Sequence, residues 1–142
     1  MKWILILGMV VLTIGCAAKQ PTTQADPCKD FDLDVQKIWN VSVKAKIEIS
    51  MQEIGGEVGA SKAEQVITKM DNLTRDWIML KESACRDHFK RQLITVEEYK
   101  QKANCFDAYL QQQRTLINSI EGGDSVAVNS LLDADGVPEQ CK

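Results

Sequence analysis

Positive charge is not in surplus in this chain: 17 Lys and Arg stand against 20 Asp and Glu, a formal net charge of −3 at pH 7. The one basic run of note, His88, Lys90 and Arg91, is too short to form a stripe. The electrostatic footprint of a nucleic-acid binder is therefore missing, and no such partner is expected. Long apolar runs are missing as well. The longest, residues 3–15, holds 13 residues, whereas a helix that crosses a bilayer needs about 20. Gly and Pro are absent from residues 30–54, so no strong breaker punctuates that stretch.

What residues 1–18 do contain is the layout of a secretory signal. Lys2 is followed by the apolar WILILGMVVLTIG and then by Gly15, Cys16, Ala17 and Ala18. This resembles a bacterial lipoprotein signal, in which a small residue precedes a cysteine that is lipidated and becomes the first mature residue. Gly15 and Cys16 match that pattern, while Thr13 stands where leucine is usual. Ordinary cleavage after Ala17 or Ala18, or an uncleaved anchor, is the alternative. The lipoprotein resemblance implies a palmitate-bearing Cys16 and a place in the bacterial cell envelope. With Ala17 rather than aspartate next, it implies the outer membrane, facing the periplasm.

The cysteine count fits that expectation. Five cysteines leave one unpaired in an oxidising compartment. With Cys16 lipidated, Cys28, Cys85, Cys105 and Cys141 can pair completely, and export keeps such bonds intact. Three segments follow: a signal over 1–15, a lipid-anchored tether over 16–27, and a helical domain over 28–142. The tether contains KQPTTQADP, polar and with two prolines. The 115 residues from Cys28 onward suit one domain with one core. Without Lys2 the mature chain carries 16 basic and 20 acidic residues, a net charge of −4.

Two long helical patterns dominate that domain. Ala63, Val66, Met70, Leu73, Trp77, Leu80, Ala84 and His88 recur at three- and four-residue steps. After a short polar turn, Val96, Tyr99, Ala103, Phe106, Leu110, Leu116, Ile117 and Ile120 do the same. Ser61 with Glu64, and Thr95 with Glu98, have the spacing of capping boxes. Gly122 and Gly123 stop the second helix, and Asp124 is placed to cap a short helix over 125–132. Residues 30–54 are ambiguous. Alternating Val41, Val43, Ala45, Ile47, Ile49 and Met51 read as a strand, yet no partner strand exists. Phe31, Val35, Ile38, Ala45 and Ile49 fit one helical face; Trp39, Val43, Ile47 and Ile54 fit the next. A single helix is expected there, ended by Gly55, Gly56 and Gly59.

The fold expected is all-α: three long antiparallel helices and a short C-terminal helix, stapled by two disulfides. Up–down–up packing puts Cys28, Cys85 and Cys105 nearer one pole. An extended tail can carry Cys141 back to it. Cys85–Cys105 and Cys28–Cys141 are the pairing expected from this. Cys28–Cys85 with Cys105–Cys141 is the alternative.

Ile38-Trp39, Leu73, Trp77, Ala84-Cys85, Cys105-Phe106, Arg114 and Leu116, between a leading Cys28 and a closing Cys141, form a set. The set resembles the extracytoplasmic helical region of certain bacterial serine/threonine protein kinases of myxobacterial type. There it lies between the membrane segment and a tetratricopeptide array. The resemblance covers about residues 28–141 and implies an all-helical module without catalytic residues. Kinase chemistry does not carry over, because a Gly-rich phosphate loop, HRD and DFG are all absent.

Other chemistry finds little support. Cys85, His88 and Cys105 would need a fourth ligand and reduced thiols to hold zinc, so no metal or other cofactor is expected. Glu97 and Glu98 read as a capping feature before an acid pair. Asp133, Asp135 and Gly136 lack the remaining positions of a calcium loop. Trp39 and Trp77 are core anchors or, if a pocket lies beside them, candidate binding residues. The expectation is a non-catalytic envelope lipoprotein, not an enzyme, acting as a helical protein-interaction module. An apolar stripe left over on the first helix faces an unknown envelope protein, and the membrane is met through the N-terminal lipid. The alternative is a small-ligand or cell-wall binding module of the periplasm.

Overall fold

The computed structural model describes residues 26–142; the expected signal and Cys16 lie outside them. Among the described residues every regular element is helical: α1 (Asp32–Gln36), α2 (Val41–Phe89), α3 (Val96–Glu121), α4 (Ser125–Leu132) and a closing 3₁₀ turn (Glu139–Cys141). The all-α expectation holds.

Residues 30–54 do not form one helix. Asn40 has extended dihedrals and its side chain accepts from the Ser42 and Val43 amides. It therefore caps a new helix, and α1 ends before it. That break turns Val35, Ile38 and Trp39 into the core. The helix that follows, α2, is interrupted at Gly56, whose φ of 55° and ψ of −134° are not helical. Only a residue without Cβ adopts such values easily. The two limbs on either side lie against each other. The Trp39 indole donates to Asp71 across 32 residues of chain, and Lys44 pairs with the same carboxylate. Gly59, one helical step past the kink, is buried because its α-carbon faces the Met51 backbone.

The kink also corrects the first capping box. Ser61 sits inside α2, exposed, and caps nothing. The second box is present in full. The Thr95 hydroxyl accepts from the Glu98 amide, and the Glu98 carboxylate accepts from the Thr95 amide at 2.7 Å. Asp124 caps α4 as expected, accepting from Val126 and Ala127.

The core lies where α2, α3 and α4 meet. It contains Ile47, Val66, Met70, Trp77, Phe106, Ile120 and Leu131, all essentially sealed from solvent. Trp77 meets Phe106 edge to face at 6.3 Å, a favoured aromatic geometry, and its indole N–H donates to the Phe106 carbonyl at 2.8 Å.

The four cysteines form two disulfides, but not in the pairing expected first. Cys28 joins Cys85, and Cys105 joins Cys141, with Cα separations of 5.5 and 5.3 Å. The correction has a positional cause. The short α1 and the break at Asn40 return Cys28 to the last turns of α2. Buried Val137 and the 3₁₀ turn bring Cys141 onto the middle of α3, not to its start. Two disulfides mark an oxidising, extracytoplasmic setting.

Candidate interaction surface

Among the described residues, exposed apolar side chains gather at each end of the C-terminal limb of α2. The first group surrounds the Gly56 kink. The turn ends the N-terminal limb beside the junction of α3 and α4, where the Ser50 hydroxyl donates to the Glu121 carbonyl. Gly123, with φ of 83°, leaves room there for the Ile54 side chain. A groove of about 230 Å³ results, lined chiefly by Met51, Ile54, Val58, Ile120 and Val128, with Lys62 and Ser125 as its polar members. Ile54 and Val58, which line it, are 70 and 73% exposed. Single exposed apolar residues are ordinary, whereas a cluster around a groove marks a contact surface.

Part of this exposed apolar surface lies on the predicted first helix. Of the apolar residues on the predicted first helix, Val35, Ile38, Trp39 and Ile47 are buried, while Ile49 and Ile54 are exposed. Val58 carries no such signal, because it lies among the glycines that read as a breaker.

The second feature is the turn between α2 and α3, read from sequence as polar. Phe89, Leu93 and Val96 are 50, 70 and 46% exposed there. The turn is well held. Gln92 adopts a φ of 54°, the Leu93 amide donates to the Asp87 carbonyl at 2.8 Å, and His88 stacks on Tyr99 at 4.9 Å. Phe89 meets Tyr99 edge to face. The first described residue is fastened to the same place: Asp26 pairs with Lys90 at 2.8 Å. Hydrogen bonds from the Lys90 ammonium and the Cys28 amide hold the Asp26 carboxyl below its ordinary range.

The residues singled out for chemistry are otherwise engaged. Cys85 and Cys105 belong to different disulfides, so they do not join His88 as thiolate ligands; His88 contacts Ile94 and Tyr99 instead. Trp39 and Trp77 are buried, and both indole N–H groups have protein acceptors. Lys81 lies over the Trp77 ring at 4.5 Å and Lys44 over Trp39 at 5.4 Å. The two tryptophans thus present no free face to a ligand. Glu98 belongs to the α3 cap. Burial pushes the Asp71 carboxyl up, but hydrogen bonds from Lys44 and Trp39 outweigh it and hold the group below its usual value.

The arrangement defines a helical, disulfide-stapled extracytoplasmic domain with apolar surface at both ends. No protein-family model, curated protein or solved structure matches the chain. Among the described residues no helix is long and apolar enough to cross a membrane.

Proposed function

We propose that this protein is a non-catalytic lipoprotein of the bacterial cell envelope. Lipid on Cys16 anchors it, at the outer membrane and facing the periplasm, and its helices form an up–down–up rod that binds another envelope protein through the groove at the Gly56 kink. The observation that carries the reading is the exposure of Ile54 and Val58, each about seven-tenths, on a groove whose lining is chiefly apolar. Its size favours a protein side chain over a small ligand. Drug-sized ligands occupy roughly 300–1,000 Å³, and this groove offers about 230 Å³. A non-catalytic role is supported by the engagement of the cysteines in disulfides and of Glu98 in a helix cap. The resemblance to the helical extracytoplasmic regions of bacterial serine/threonine kinases, which implies a module without catalytic residues, agrees with that non-catalytic reading.

A photo-crosslinking residue at Val58, in the native host, tests this. We expect one discrete protein adduct that Ile54→Glu abolishes and that a probe at exposed Arg75 does not give. An adduct to lipid alone, or the same products from both positions, excludes the groove as a protein-docking surface. Mass measurement of the N-terminal peptide tests lipid on Cys16 separately.

A further inference from the structure

We propose that the turn between α2 and α3 is a second contact with the membrane, laying Phe89, Leu93 and Val96 into the interfacial layer of the bilayer that anchors the chain. The inference rests on the reading of Cys16 as the lipidated foot, and it adds which end of the domain faces the lipid.

Three observations carry it. The first is where the tether arrives. Asp26 pairs with Lys90 and Cys28 is bonded to Cys85, so the chain leaves the domain beside Phe89. Cys16 lies ten residues before Asp26. Ten residues of chain span at most about 35 Å. The turn is thereby held close to the bilayer at high effective concentration, so a weak affinity suffices for contact.

The second observation is the composition of the turn. Three large apolar side chains stand at about half exposure or more, and half-buried Tyr99 lies behind them, the kind of ring favoured at headgroup level. Lys90 and Arg91 flank them and are largely exposed. Their partners Asp26 and Asp87 offset much of that charge, and Glu97 and Glu98 follow at the start of α3. Contact is therefore mainly apolar, and the paired cations contribute little to it.

The third observation is rigidity combined with distance. The turn is ordered by the Leu93–Asp87 backbone bond, the His88–Tyr99 stack and the Thr95 cap, so little further ordering is needed on insertion. The other apolar feature, at Val58, lies 31 residues away along α2. At 1.5 Å per residue that is about 46 Å, beyond the reach of the tether. With the turn down, the groove is carried away from the membrane and towards a partner.

Hydroxyl-radical footprinting of the full lipidated chain, purified from its native membranes and placed in phosphatidylethanolamine–phosphatidylglycerol vesicles, tests this. Labelling is normalised to the free reactivity of each residue type. We expect Phe89 and Leu93 to be labelled several-fold less than Ile54 and Val58, although Leu93, Ile54 and Val58 are about equally exposed in the protein alone. Leu93→Glu, at an exposed position, is expected to return Phe89 and Val96 to solvent-like labelling. Equal labelling at the two ends, or protection that survives Leu93→Glu, overturns the proposal. The mass of the Cys16 peptide is read from the same sample. Absence of lipid there overturns the lipoprotein reading, while the labelling ratio still decides the contact of the turn.

Discussion

Gly59 and Met51 meet backbone to backbone: a methyl group built on the Gly59 α-carbon would overlap the Met51 carbonyl. This contact sets how closely the two limbs of α2 approach just beyond the Gly56 kink. A side chain at position 59 cannot be accommodated by a rotamer change, because its obstacle is main chain. Gly59→Ala is expected to lower stability by about 1–3 kcal/mol, the ordinary cost of overpacking, despite the better helix propensity of alanine. Gly55→Ala is the control, since nothing lies near its α-carbon. Thermal or urea unfolding of both variants checks this; equal stabilities would mean that the limbs are free to separate.

The pairing of the cysteines is open to direct measurement. Non-reducing peptide mapping is expected to recover Cys28 with Cys85 and Cys105 with Cys141. Each bond closes a long loop, over sequence separations of 57 and 36 residues. Chain entropy assigns each a stabilisation of about 4 kcal/mol. Replacing both cysteines of one pair by serine is expected to lower unfolding free energy by about 2–5 kcal/mol. A peptide linking Cys85 to Cys105 would overturn the assignment.

The two capping-box spacings behave differently, and substitution separates them. Thr95→Ala removes the acceptor for the Glu98 amide and is expected to cost about 1 kcal/mol. Ser61→Ala removes nothing of the kind, because Ser61 lies in mid-helix. It is expected to leave stability unchanged or to raise it by a few tenths of a kcal/mol. Equal destabilisation by the two substitutions would show that α2 restarts at Ser61.

Acid unfolding is expected to report on Asp71. Its carboxyl is held below the usual range in the folded protein by Lys44 and Trp39, so the folded state binds its proton more weakly than the unfolded state does. The resulting stabilisation is fully present above the unfolded value of about 3.9 and is lost as pH falls through the lower folded value. Trp39 fluorescence is a local probe, since its indole donates to that carboxylate at 2.6 Å. In Asp71→Asn the stability lost between neutral and acidic pH should be smaller, with Asp26 and Glu98, both lowered in the same sense, left to supply the remainder. An unchanged acid profile would remove Asp71 from the account.

The sequence by itself determined the helices whose ends are written in adjacent residues. Thr95 with Glu98 starts α3, Gly122 and Gly123 end it, and Asp124 starts α4; each signal acts over four residues or fewer. It also determined the core series from Ala63 to Ala84 and from Phe106 to Ile120, because a 3.6-residue period selects one face whatever covers it. Asn40 was legible as a cap in principle, but an apolar pattern running through it concealed the break. Tertiary structure alone decided the rest. Whether Ser61 starts a helix depends on how Gly59 packs on Met51, eight residues earlier, after the chain has turned. Which cysteine meets which depends on where α1 and the C-terminal tail come to rest, a matter of packing between distant segments that no local spacing encodes. The exposure of Ile54, Val58 and Leu93 was likewise settled only by what the remaining helices left uncovered.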